Sequence, residues 1–84
     1  MLNVARCESG FNPLAYNGKD PHGGSFGIYQ YQITTFYGNF AKASQSLSFT
    51  VPDIADPYQQ VELTAYLFSK QKMGLWSCWY ITNG

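Results

Sequence analysis

The chain has 84 residues and equal numbers of acidic and basic side chains, so its formal net charge is zero. Charged residues make up only 12% of it and aromatics 18%, with 7 Tyr, 6 Phe and 2 Trp. That balance argues against a protein whose main business is holding phosphate backbones, and no apolar run approaches the roughly twenty residues of a membrane span. It suits a neutral, polar, flat-faced ligand, since aromatic rings pack well against such faces. Carbohydrate fits that description, and so does a protein surface. The length predicts one domain over residues 1–84, with a core thin enough to need a disulfide, a metal or a partner. The N-terminus lacks the apolar stretch of a signal peptide, so the chain reads as an excised domain.

Met1 to Ser9 contains neither Gly nor Pro. Leu2, Val4, Ala5 and Cys7 predict a mostly buried turn or two of helix. Gly10 has no Cβ and suits the left-handed residue that ends a helix. Pro13 prevents the helix from resuming. Glu8 then falls in the last turn. There the negative helix end and apolar neighbours both disfavour a charged carboxylate, as an acid that donates a proton near neutral pH requires. The plainer reading is an exposed helix-end glutamate.

Phe11 to Gly24 has no regular period. Asn12, Pro13, Asn17, Gly18, Asp20, Pro21, Gly23 and Gly24 make it a loop of tight turns. So long a loop in so small a domain is more often a binding feature than an idle connector. Ser25 to Gln32 reads as a short strand or an irregular passage into a helix. Thr34 or Thr35 then caps a helix running to about Ala43, with Phe36, Phe40 and Ala43 along one side. Ser44 to Ala55 is a polar loop.

The firmest local signal follows. Asp56 is an N-cap, Pro57 sits at the first helical position, and Gln59 stands where a capping-box partner belongs. The helix is expected to reach about Lys72, with Val61, Ala65 and Phe68 on one face, Leu63 and Leu67 widening it, and Gly74 stopping it. Trp76 to Trp79 docks back. Three helices around an irregular middle give a mainly α domain. Cys7 and Cys78 are too few and too far apart for the usual four-ligand zinc site. They read as one disulfide in an oxidising, extracellular setting, or as two reduced buried thiols. Closing a loop of roughly seventy residues would stabilise the domain by about 4 kcal/mol.

Several segments, in order, resemble a known family. Arg6-Cys7-Glu8-Ser9-Gly10-Phe11-Asn12-Pro13, with Ala15 and Asn17 after it, resembles the opening of the lytic transglycosylase domain. Ser25-Phe26-Gly27-Ile28-Tyr29-Gln30 is similar to that family's second motif. The chain also resembles the resuscitation-promoting factors, over nearly its whole length. The shared features are Cys-Glu-Ser-Gly, the Gly27 to Gln30 segment, Thr35-Phe36, Gln59-Gln60-Val61-Glu62, and a closing Gly74, Trp76 and Cys78. The resemblance implies a small α+β, lysozyme-like, disulfide-closed domain that needs no cofactor or metal. The implied activity is cleavage of the β-1,4 bond between N-acetylmuramic acid and N-acetylglucosamine in peptidoglycan glycan strands. The implied setting is extracellular, at the cell wall or in the periplasm, or in a phage lysin, with the protein acting as a monomer. Glu8 is the implied catalytic acid. Ser25, Gln30, Tyr31 and Thr35 are implied substrate contacts, and Trp76 a wall of the groove. Ala65-Tyr66 is a partial echo of the transglycosylases' Ala-Ala-Tyr-Asn-x-Gly segment, which is otherwise absent; it adds Tyr66 to the substrate contacts. The loop between Glu8 and Gln30 departs from the resuscitation-promoting factors in length and content.

Glycoside cleavage usually takes two carboxylates, and the chain has five acids. Asp56 is taken by its cap, Asp53 sits in a polar loop, and Glu62 reads as a solvated helix position. Asp20 in the long loop is the one reasonable second carboxylate, although Asp-Pro is a common turn opener. A transglycosylase escapes the requirement, because the substrate's own C6 hydroxyl attacks and one residue serves as acid and then base. His22, the single histidine, could activate Cys7 only if that thiol were free; otherwise it is a loop residue. Gly23, Gly24 and Gly27 lack the Lys-Ser/Thr of a phosphate loop. The competing expectations are a hydrolytic muramidase using Asp20, a cell-wall binding module without turnover, and a secreted domain that packs on a protein partner.

Overall fold

The structure is a computed structural model and describes residues 1–19, 23–76 and 78–79. Helix α1 spans Leu2–Ser9 and closes at Gly10, which takes φ 63° and donates its N–H to the Arg6 carbonyl. Burial along α1 is narrower than its apolar content suggests. Val4 and Ala5 are buried, but Leu2 is 74% exposed and Cys7 lies on the surface. A two-turn helix at the rim turns only one stripe towards the core.

The segment expected to be all loop contains strand β1, Tyr16–Asn17. Ser25 to Gln32 forms β2, Ser25–Phe26, then a tight turn, then β3, Tyr31–Gln32. The three pair antiparallel in the order β1-β2-β3. Asn17 opposes Ser25 and Ser25 opposes Gln32, while Tyr16, Phe26 and Tyr31 form the adjacent row. Opposed residues project to one face, so a polar row and an aromatic row alternate across the sheet.

Helix α2, Ile33–Ala43, begins directly after β3. Gln32 is its N-cap, with no side-chain capping bond, so neither Thr34 nor Thr35 serves as expected. The strand runs straight into the helix and leaves both threonines inside its first turn. Phe36 and Ala43 are buried. Phe40 is half-buried and stacks on Phe49 with centroids 5.4 Å apart. Ser44–Ser46 adds a short 3₁₀ turn within the expected loop.

Helix α3, Pro57–Ser69, starts as its sequence predicts. Asp56 Oδ1 accepts from the N–H groups of Tyr58 at 2.9 Å and Gln59 at 3.4 Å. The reciprocal half of the capping box does not form, because the Asp56 N–H already donates to the Asp53 carbonyl. Gln59 instead accepts from Asp53 N–H at 2.7 Å and donates to Val51 O at 3.0 Å. The helix stops at Ser69, short of Lys72, with Gln71 in the left-handed region at φ 60°. Gly74 therefore stops nothing; it lies in a 3₁₀ turn, Met73–Leu75.

The buried face of α3 matches the expected one only at Leu63 and Leu67. It carries Gln60, Leu63, Thr64 and Leu67, while Val61 and Ala65 are exposed and Phe68 is half-buried. Glu62, expected in solvent, is half-buried and accepts from the backbone N–H and the hydroxyl of Ser48.

Trp76 joins these layers. Its ring lies 5.5 Å from Tyr31, 5.5 Å from Phe68 and 6.2 Å from Tyr29, centroid to centroid, and its indole N–H donates to the Tyr29 carbonyl at 2.9 Å. Cys7 and Cys78 form a disulfide with Cα atoms 5.9 Å apart, which rules out the reduced-thiol reading. Among the described residues the architecture is α+β: three helices, a small sheet and one disulfide. No helix of the described residues is long and apolar enough to cross a membrane.

Candidate active site

A cleft of about 280 Å³ opens between the end of α1, the sheet and the C-terminal segment. Its lining residues are Glu8, Ser25, Gln30, Tyr31, Gln32, Thr35, Leu75 and Trp76. Six of the positions singled out in the sequence therefore meet in one place: Glu8, Ser25, Gln30, Tyr31, Thr35 and Trp76.

Glu8 enters from the last turn of α1 and is half-buried. Its Oε2 lies 3.4 Å from the Cys78 N–H that donates to it. The next residue anchors the helix end to the sheet: Ser9 Oγ donates to the Ile28 carbonyl at 2.7 Å and lies 3.2 Å from Ala5 O. Glu8 is thus held between two fixtures, the Ser9 tether on one side and the disulfide-bound Cys78 backbone on the other.

The opposite wall is the β2–β3 hairpin. Gln30 takes φ 51°, unusual for a residue with a Cβ. Its Nε2 donates to Gly27 O at 2.9 Å and to Ala15 O at 3.3 Å. An amide nitrogen has two hydrogens, so both donors are committed to the protein and Oε1 is the accepting end of the carboxamide. Tyr31 is 2% exposed. Thr64 Oγ1 donates to Gln60 O at 2.6 Å, so in the 2.8 Å contact between Tyr31 and Thr64 the phenol is the donor. The Tyr31 hydroxyl is turned into α3, and its ring is what walls the cleft. Burial raises the Tyr31 pKa well above the usual tyrosine value. Burial raises that of Tyr29 as well.

Ser25 and Gln32 face each other across β2 and β3 and supply the polar floor. Thr35, half-buried in the first turn of α2, closes the far end. Leu75 is a cleft residue that the sequence did not single out, and Gln32 is one it marked only through the alternation of Tyr29 and Tyr31 with Gln30 and Gln32, half core and half groove. The signal for Leu75 was its place beside Trp76.

Tyr66 does not line the cleft. It stands two residues beyond buried Thr64, about 200° around the helix, with Lys70 Nζ 5.7 Å from its ring centroid. Asp20 and His22 lie outside the described residues. The disulfide leaves no free cysteine among the described residues, which removes the pairing of Cys7 with His22.

The other described carboxylates are engaged elsewhere. Asp56 caps α3, Asp53 Oδ1 accepts from Ala55 N–H at 3.0 Å, and Glu62 holds Ser48. Among the described residues Glu8 is the one acid lining the cleft, and no group of three or more His, Cys, Asp or Glu side chains is arranged to hold a metal ion. The site has one acid, amide and hydroxyl groups to orient a polar ligand, and apolar ring surface. Comparison with protein-family models, with curated proteins and with solved structures finds no match to this chain.

Proposed function

We propose that the protein cleaves the β-1,4 bond between N-acetylmuramic acid and N-acetylglucosamine in peptidoglycan, by lytic transglycosylation, with Glu8 as the single acid and base. The observation that carries this reading is Glu8 as the one described carboxylate in a cleft of polar floor and aromatic wall. A carboxylate at the end of the first helix, facing a small antiparallel sheet, also supports a reduced lysozyme-like fold. The disulfide supports action in an oxidising compartment outside the cytoplasm.

The chemistry needs one titrating group. Protonated Glu8 gives its proton to the glycosidic oxygen, the bond from that oxygen to C1 of the muramic acid breaks, and N-acetylglucosamine leaves with a free 4-hydroxyl. The C6 hydroxyl of the same muramic acid attacks C1 and passes its proton to the Glu8 carboxylate. The product is a 1,6-anhydro sugar, Glu8 ends as it began, and no water is consumed. Buried Tyr31 and Trp76 give the cleft a rigid apolar backing, half-exposed Leu75 packs on a sugar face, and Gln30, Gln32 and Thr35 meet hydroxyl and N-acetyl groups.

Digestion of purified peptidoglycan, with soluble products read by mass spectrometry, tests this. Fragments ending in anhydro-muramic acid, one water lighter than hydrolysis products, are expected. Ordinary reducing ends would replace transglycosylation by hydrolysis and direct attention to Asp20. No release would overturn cleavage in favour of a binding module.

A further inference from the structure

The hairpin turn that carries Gln30 and Tyr31 is gripped from three sides. Ser9 of α1 holds the Ile28 carbonyl at 2.7 Å, and the Trp76 indole holds the Tyr29 carbonyl at 2.9 Å. The third grip comes from Gln60, thirty-one positions beyond Tyr29. Its Oε1 accepts from the Tyr29 N–H at 3.0 Å, and its Nε2 donates to Phe26 O at 3.0 Å and to Ile54 O at 2.7 Å. Gln60 is 1% exposed, so each bond is made away from competing water, where an unmade one is costly. Gly27 makes room for it. A Cβ there would come within 2.2 Å of Gln60 Nε2, and its φ of 81° already favours glycine.

We propose that Gln60 is a positioning residue for the cleft. Its carboxamide fixes the turn at residues 26–29 and, through it, the place of Gln30 and Tyr31 relative to Glu8. The turn is the joint between the two walls: Ser9, next to Glu8, ties one side of it to α1, and Gln60 ties the other to α3. Without the amide, Gln30 and Tyr31 shift while Glu8 stays on its helix. The kinetic part of this role rests on the cleavage reading above.

The test compares Gln60→Glu and Gln60→Leu with wild type, and with Gln59→Ala as control. Gln60→Glu keeps the acceptor for Tyr29 and loses the donors for Phe26 and Ile54. Gln59 binds only the loop at Val51 and Asp53, so its loss lowers Tm and leaves turnover unchanged. Gly27→Ala displaces the amide from the other side and keeps the question open to test if a Gln60 variant does not fold. Displacement of reacting groups by an ångström can cost about a hundredfold in rate, so kcat is expected to fall about tenfold or more in the folded variants, with KM changed less than about threefold. Amide hydrogen exchange at Tyr29, Gln30 and Tyr31 is expected to accelerate while Leu63 and Leu67 stay protected. Unchanged kcat in a folded Gln60 or Gly27 variant overturns the proposal. If the wild type cleaves nothing, the cleavage reading fails by itself and exchange decides the clamp: selective loss of protection upholds it, and wild-type protection overturns it.

Discussion

The Cys78 N–H donates to Glu8 Oε2 at 3.4 Å, and Cys78 is disulfide-bonded to Cys7, the residue before Glu8. The crosslink therefore does two things at one point. It closes the chain over 71 positions, and it keeps a main-chain donor against the carboxylate in the cleft. A main-chain donor on Oε2 orients the carboxylate and leaves Oε1 as its other oxygen, so stability and site geometry are tied to one bond.

Reduction, or replacement of both cysteines by serine, is expected to lower Tm by about ten degrees or more. On the chain-entropy model the crosslink contributes about 4 kcal/mol, and a domain of this size shifts by about 4–8 °C per kcal/mol. Calorimetry with and without reductant checks it; a shift of a degree or two would show that the crosslink is not a major support. Turnover measured below the new Tm should fall too, because Cys78 no longer fixes the Glu8 carboxylate.

Glu8→Gln is expected to abolish release of muropeptides and to leave binding to insoluble peptidoglycan intact. Removing a general acid costs about a hundred- to ten-thousandfold in rate. The side chain is half-buried and keeps its shape as the amide, so Tm should change little. Lysis that survives the substitution would sink the acid assignment.

What could be read from the sequence was local. Asp56-Pro57 declares a helix start whatever surrounds it, because the cap bonds run only to Tyr58 and Gln59. Gly10 declares a helix end because the left-handed turn is a property of that residue alone. The buried side of α3 was not local. Hydrophobicity favoured Val61 and Ala65, whereas the fold buries Gln60 and Thr64, whose polar atoms are satisfied by nearby Ile54 and by Phe26, Tyr29 and Tyr31, more than thirty residues away in sequence. The cleft followed the same division. Glu8, Gln30 and Trp76 stood out by motif. That Gln30 spends both amide hydrogens on backbone, and that Tyr31 turns its hydroxyl inward, depends on contacts no spacing rule reports.

Asp56→Ala should destabilise the domain by about 1 kcal/mol, the usual effect of losing an N-cap side chain, or about 4–8 °C in Tm. The bonds lost are those to Tyr58 and Gln59. Asp56→Asn or Asp56→Ser should restore most of it, because either side chain caps as well. Thermal melts of the three variants check this, and equal losses in all three would mean that the charge, rather than the cap, matters there.

The buried tyrosines set an alkaline limit on stability. Tyr31 and Tyr29 both have folded-state pKa values raised by burial, while an unfolded tyrosine ionises near pH 10. A raised folded pKa means that the unfolded chain releases its protons first. The contribution is therefore fully present below about pH 10 and is lost as pH rises from there towards the folded values. Stability by urea denaturation should fall steeply above about pH 10. Part of the phenolate absorbance should appear only as the protein unfolds. Tyr31→Phe should flatten that fall, since Phe cannot ionise, while costing about 1 kcal/mol at neutral pH through the lost bond to Thr64. A stability profile of unchanged steepness in the variant would mean that Tyr31 is not the group that limits the fold at high pH.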